Sequence, residues 1–262
     1  MVAIDLPPFG FSERPHGALY GKTDQAARIL GVMDALGIAK AILVAHSTGG
    51  GPAVEAAATP PRRVTGLVLV DAELDIAFDR KGKTYPPFLV DWFLSTPTLR
   101  DGAVAAFITN PLFTRRFLNW MSHRRGADDT WTEIYRQPLK LQGTTTAVSA
   151  WLPAWIANLK PARSEEPETY RKLKIPIHLM WGDFDAIAPP EQARLLTLAA
   201  PGTILKIVHG AGHLPQMEDA ATFNRQLLQS LNVMKFDLDS KVATATSEAK
   251  ADMKSDTKPD SK

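Results

Sequence analysis

The chain has 262 residues, 45% of them hydrophobic, with 30 basic against 28 acidic side chains, and that length and apolar content are enough for a sizeable core. Charge this balanced leaves no electrostatic footprint for nucleic acid or an anionic membrane. There is no cysteine, which excludes disulfides, thiolate zinc sites and a cysteine nucleophile.

Met1-Val2-Ala3-Ile4-Asp5 lacks the basic and apolar regions of an export leader, and nowhere do about 18 residues run free of charges and breakers as a membrane span requires. The expectation is a soluble, cytoplasmic chain. Residues 2–6 form a short apolar run with no preceding turn, and residues 7–15 form a loop dense in proline and glycine. A buried strand seldom opens a domain so abruptly, so upstream sequence is expected to be missing. Residues 23–40 carry Ala26, Ala27, Ile29, Leu30, Val32, Met33 and Leu36 at helical spacing. Thr23 or Asp24 is the expected N-cap and Gly37 the stop.

Ala41-Ile42-Leu43-Val44-Ala45 then suits a strand buried on both faces of a sheet. His46 and Ser47 cut it off, Thr48, Gly49, Gly50 and Gly51 follow, and Pro52-Ala53-Val54-Glu55-Ala56-Ala57-Ala58 favours a helix with Pro52 in its first turn. Ser47 therefore sits at a sharp strand-to-helix turn. The nucleophile-elbow pattern is Gly-x-Ser-x-Gly, and Ala45-His46-Ser47-Thr48-Gly49 departs from it only by one methyl group. On this stretch alone a glycine-rich turn with an ordinary serine reads equally well.

Residues 64–71 make a second buried strand, and strand, helix, strand at this spacing implies parallel pairing and an α/β class. From Ala72 to about Leu173 no strand pattern recurs. Aromatics are dense there (Phe78, Trp92, Phe93, Phe107, Phe113, Phe117, Trp120, Trp131, Trp151, Trp155), with basic clusters at Arg115-Arg116 and His123-Arg124-Arg125. This is expected to be a helical insertion whose aromatics serve chiefly as core, although a lid over a pocket also needs apolar faces. Residues 175–181 return to a strand ending in Gly182-Asp183-Phe184-Asp185, and residues 190–200 to a helix with Leu195, Leu196 and Leu198. A strand over 203–208 ends in His209-Gly210-Ala211-Gly212-His213, and a helix over about 218–231 is expected to bury Phe223, Leu227, Leu228 and Leu231. Residues 235–262 are too polar to offset their ordering entropy, so a disordered tail is expected.

A serine hydroxyl needs a base to remove its proton and a third group to hold that base in the right tautomer. Of the six histidines, His16 lies in an early loop, His123 among arginines, His178 inside a strand, and His46 beside the serine on the opposite face of the strand. His209 and His213 remain. Their i, i+4 spacing could suggest metal ligands, but Gly-Ala-Gly between them makes a helix improbable. His213 can swing toward a serine at the end of a neighbouring parallel strand, while His209 simply ends its own. Asp71, Asp183 and Asp185 all lie at strand ends, where ligands bind in open α/β sheets, so the residues alone leave the acid open.

Four stretches together, in this order, resemble the α/β-hydrolase superfamily in its group with a helical cap. Asp5-Leu6-Pro7-Pro8-Phe9-Gly10-Phe11-Ser12 resembles the Asp-x-Pro-Gly-x-Gly-x-Ser loop, with Pro8 in place of a glycine. Ala45 to Gly49 matches the elbow, Trp181-Gly182-Asp183-Phe184-Asp185 the acid loop, and Gly210-Ala211-Gly212-His213-Leu214-Pro215 the histidine loop. The resemblance implies an α/β-hydrolase core over residues 1–71 and 174–234, a helical cap over 72–173, Asp185 as triad acid with Asp71 as runner-up, and no cofactor or metal. It also implies a His-Gly loop upstream of Asp5 that supplies the second oxyanion donor. Only Met1 to Ile4 stand there, so an N-terminally truncated product is expected.

The expected function is that of a serine hydrolase: Ser47 attacks a carbonyl, His213 moves the proton, Asp185 orients His213 and the Thr48 N–H holds the oxyanion. A small apolar or aromatic ester is the expected substrate, with C–C bond cleavage of a diketone or cofactor-free perhydrolysis as alternatives. The competing class is a truncated pseudoenzyme or ligand-binding protein that keeps the triad without turnover.

Overall fold

Four apolar runs become four parallel strands. The computed structural model describes residues 1–76, 87–124, 126–156 and 162–235. Among these, β1 (Ala41–His46), β2 (Val64–Val70), β3 (Ile177–Gly182) and β4 (Ile204–Val208) form one sheet in the order β1-β2-β3-β4, with Ala45 opposite Leu69, Leu69 opposite Leu179 and Leu179 opposite Leu205. β2 and β3 sit in the middle and are almost wholly buried. β1 is an edge strand among the described residues, and Val44 is 47% exposed, so burial on both faces does not extend to it. Residues 2–6 join no strand; Met1 to Asp5 lie exposed ahead of the Pro7–Pro15 loop.

Helix α1 (Lys22–Ala35) precedes β1 and α2 (Gly50–Ala58) follows it, the two packing together. The expected N-cap of α1 is displaced: Gly21 holds that position, and Asp24 reaches back to accept from the Gly21 N–H at 3.2 Å. At the other end Gly37, at φ +63°, donates to Asp34 O while Ile38 donates to Met33 O, which caps the helix at the expected stop. One core of Leu67, Leu69, Leu179, Trp181, Val54, Ala56 and Leu196 lies between these helices and the sheet. On the other face Val68, Val70 and Met180 pack on Phe223 and Met234.

Between β2 and β3 the described residues are helical: α3 (Pro87–Ser95), α4 (Pro97–Ala103), α5 (Thr114–Met121), α6 (Asp129–Leu139), α7 (Thr144–Ile156) and α8 (Pro167–Lys172). Leu94, Val104, Val148 and Leu152 give this segment a small core of its own, while Tyr170 and Leu173 pack into the sheet core. The expectation that its aromatics are mainly core fails. Phe107 is 67% and Trp120 59% exposed, and Trp92, Phe113 and Phe117 also face solvent; in α5 it is Thr114, Leu118 and Met121 that are buried instead. Phe78, Arg125 and the tail beyond Lys235 lie outside the described residues.

After β3 come α9 (Pro190–Ala199), β4, the short α10 (Pro215–Glu218) and α11 (220–235). In α9 only Leu196 of the three leucines is buried. The expected single helix over 218–231 is broken at Asp219, whose backbone leaves the helical region and whose carboxylate accepts from the Thr222 N–H at 3.1 Å, starting α11 afresh. That phase turns Leu228 outward, 58% exposed, and buries Ser230 and Met234 in line with Phe223. None of the described helices is long and apolar enough to cross a membrane.

Candidate active site

The site grows from the end of β1. Ser47 adopts φ +52°, a conformation that costs a non-glycine residue on the order of 1–3 kcal/mol, and opens a single helical turn, Ser47–Gly49, that feeds α2. Small neighbours make the turn possible. A Cβ on Gly50 would lie 2.5 Å from the Ala72 Cβ, so no side chain fits there. One on Gly49 would lie 4.0 Å from the Ala45 Cβ, an ordinary contact, which is why alanine is accommodated at the first elbow position. The Ser47 carbonyl accepts from the Glu73 N–H at 3.0 Å, pinning the turn to the segment after β2.

His213 reaches this serine from the far side of the sheet. β4 is not β1's neighbour; β2 and β3 intervene, a span of about 14 Å at the usual strand spacing. The loop after β4 crosses it under restraint. The Gly210 N–H donates to Asp183 Oδ1 at 2.6 Å, the Gly212 N–H to Glu218 Oε1 at 2.8 Å, and the His213 N–H to the Met121 carbonyl at 2.7 Å. Gly182 lets the loop come close: a Cβ there would sit 2.1 Å from Gly212 O. His213 is buried, its Nε2 lies 2.8 Å from Ser47 Oγ, and its Nδ1–H donates to Asp185 Oδ2 at 2.8 Å.

The three aspartates left open by the sequence separate cleanly. Asp185 Oδ1 accepts from the N–H groups of Ile187 and Ala188 at 2.8 and 2.9 Å while Oδ2 takes the His213 proton. Asp183 turns the other way and accepts from His209 Nδ1–H at 3.1 Å, so the two histidines serve different acids. Asp71, fully buried at φ +42°, accepts from the Gly182 N–H at 2.9 Å. Asp71, Asp185 and His213 present atoms within 4.8 Å of one another, and the hydrogen bonds of Asp185 and His213 lead to Ser47.

Two site residues escaped the sequence reading. His46 stays apart from Ser47 Oγ, but its Nε2–H donates to the His213 carbonyl at 2.8 Å and its ring packs 5.0 Å from the His213 ring. Burial, and then the neighbouring His213, push its pKa down to about 4, so the ring is neutral at pH 7. Glu218, buried at the end of α10, accepts from the N–H groups of His123 and Arg124, both at 2.7 Å, as well as from Gly212. It thereby ties the end of α5 to the histidine loop, and His123 stacks on Phe184 at 3.8 Å beside the acid loop. An acid in the first turn after a glycine-rich loop is the one sequence signal for this role.

A cavity of ≈ 40 Å³ adjoins the elbow at Thr48. Phe9, Trp151 and Trp155 supply its apolar wall, with Trp151 stacked on Trp155 and meeting Phe9 edge-on, both at 5.0 Å. On its polar side Lys22 pairs with Asp75 and Glu165 at 3.1 and 2.8 Å. The Asp5 loop stands at the same wall. The Asp5 carboxylate accepts from the Phe11 N–H at 2.8 Å and leaves no room for a Cβ on Gly10, which accounts for the Asp5, Gly10 and Ser12 spacing.

Residues 1–220 match the family model described as alpha/beta hydrolase fold. The 2-hydroxymuconate semialdehyde hydrolase of Pseudomonas sp. (strain CF600) is 29% identical over 230 residues, covering 85% of this chain and 73% of that protein. The uncharacterized hydrolase YugF of Bacillus subtilis (strain 168) is 24% identical over 214 residues, covering 82% and 73%. Among solved structures, a thermophilic esterase from Thermogutta terrifontis superposes with a TM-score of 0.64 at 22% identity, covering 88% and 78% of the two chains, a likeness of fold. Sheet, elbow and family match agree, and the chain belongs to the alpha/beta hydrolase fold family.

Proposed function

We propose that this protein is a serine hydrolase in which Ser47 is the nucleophile, His213 the general base and acid, and Asp185 the group that orients His213. The hydrogen-bonded series Ser47 Oγ, His213 Nε2, His213 Nδ1, Asp185 Oδ2, with 2.8 Å at each contact, carries this reading. Ser47 Oγ attacks the substrate carbonyl carbon as its proton passes to His213 Nε2. Asp185 stabilises the imidazolium, and the Thr48 N–H, next along the elbow, faces the developing oxyanion. His213 then gives the proton to the leaving group, and a water molecule hydrolyses the acyl-serine by the same route in reverse. Residues 72–173 serve as a cap over the site.

An apolar or aromatic ester is the favoured substrate, because Phe9, Trp151 and Trp155 gather at the elbow. C–C bond hydrolysis is the second reading, favoured by the 29% identity to a 2-hydroxymuconate semialdehyde hydrolase. Turnover of p-nitrophenyl esters and of a 2-hydroxy-6-oxo dienoate separates the two. In either case Ser47→Ala should remove turnover, and unchanged turnover would rule out the assignment.

A further inference from the structure

Asp71 is a buried ionisable group at the site that the mechanism leaves unused. Its Oδ1 accepts from the Gly182 N–H, but its Oδ2, equally buried, has no donor. Asp185 stands against it with three donors, the Ile187 and Ala188 N–H groups and His213 Nδ1–H. Two carboxylates within 4.8 Å of each other in a dry site repel strongly, which favours a proton on one of them. Asp185, with three donors against one for Asp71, is the carboxylate better placed to keep the charge.

We propose that Asp71 is a neutral carboxylic acid whose Oδ2–H donates to the Asp185 carboxylate, making Asp71 a positioning residue for the Ser47–His213–Asp185 series. The inference deepens the serine-hydrolase reading and rests on it. Burial raises the Asp71 pKa well above the usual carboxylate range, and the nearby Asp185 and Glu218 charges push it the same way. The other titratable groups about the pair are His213, on Asp185, and His46, which is neutral at pH 7. The donated hydrogen bond disperses charge on Asp185. It also leaves Asp185 with a donor on every side, fixing the carboxylate in one orientation.

The full chain, labelled at Ser47 by a fluorophosphonate over a range of pH, tests this together with the infrared carbonyl band of a protonated carboxylic acid. The wild type should show that band at pH 7, and Asp71→Asn should lack it. Asp71→Val, which removes the donor, should slow labelling about tenfold and move its acid limb to higher pH, because the charge on Asp185 is no longer dispersed. Asp71→Asn, whose amide accepts from Gly182 and donates to Asp185, should rescue both rate and acid limb. A wild type without the band, or an Asp71→Asn whose acid limb moves to lower pH through loss of a negative charge, would overturn the proposal. The band and the asparagine variant decide the matter even where Asp71→Val does not fold. A wild type that shows the band but never labels would contradict the nucleophile assignment instead, which keeps the two failures apart.

Discussion

Asp183 and Asp185 share one loop yet serve different histidines: Asp183 accepts from His209 at 3.1 Å and Asp185 from His213 at 2.8 Å. Only the second pair connects to Ser47. Asp185→Asn should therefore lower kcat by about 10⁴-fold, the usual cost of presenting the wrong tautomer, whereas Asp183→Asn should cost less than about tenfold. Steady-state ester hydrolysis by the two variants checks the contrast; equal losses would contradict it.

Glu218 receives three backbone N–H groups. Glu218→Ala leaves the buried Gly212 N–H unpaired, while the N–H groups of the exposed His123 and Arg124 can turn to water, so a loss of about 1–3 kcal/mol is expected. Glu218→Gln keeps acceptor capacity and should lose less. Urea midpoints measure both, and kcat should fall with them because the same carboxylate anchors the histidine loop.

Sheet and elbow were legible because each leaves a local imprint. Buried parallel strands demand apolar runs, and the turn at Ser47 demands small residues, visible as Ala45 and Gly49 to Gly51. The Asp5 loop was legible for the same reason, since Gly10 has no room for a side chain. The choice among Asp71, Asp183 and Asp185 was not legible from the residues, because all three end strands and only the fold of each loop decides which histidine they meet. The resemblance supplied Asp185. His46 and Glu218 were missed since their partners, the His213 carbonyl and the backbone of 123–124, carry no side-chain signal. The strand order, too, sets β4, which leads into the His213 loop, two strands away from β1 rather than beside it.

Gly182→Ala probes how closely the acid and histidine loops approach. Its Cβ would lie 2.1 Å from Gly212 O and 2.5 Å from Ala211 O, backbone atoms with little freedom to retreat. A loss of about 3 kcal/mol or more is expected, as for overpacking against a rigid neighbour. A melting temperature within about 2 °C of wild type would contradict this packing.

His46 gives the protein a dependence on pH. Its folded pKa of about 4 lies below its unfolded value of 6.5, so the stability it lends is full above pH 6.5 and is lost as pH falls toward 4. The loss should reach about 2–3 kcal/mol, discounted for the solvent that still reaches the ring. His46→Gln should flatten the unfolding free energy between pH 6.5 and 4. An unchanged slope would mean another group titrates there.

Asp71 titrates in the opposite sense. Because its folded pKa is raised, its contribution to stability is full at acid pH, below the unfolded value of 3.8, and declines as pH rises through the window up to the folded value. Asp71→Asn carries no proton to lose, so it should gain on the wild type from pH 4 to pH 7, a trend that thermal melts across that range measure.

The intact mass of the protein after treatment with a fluorophosphonate, alongside Ser47→Ala, tests the proposed catalytic series most directly. A single adduct on the wild type, absent from Ser47→Ala, is the expected result, since only a serine activated by His213 and Asp185 reacts readily. No adduct on a folded wild type, or an adduct that persists in Ser47→Ala, would contradict it.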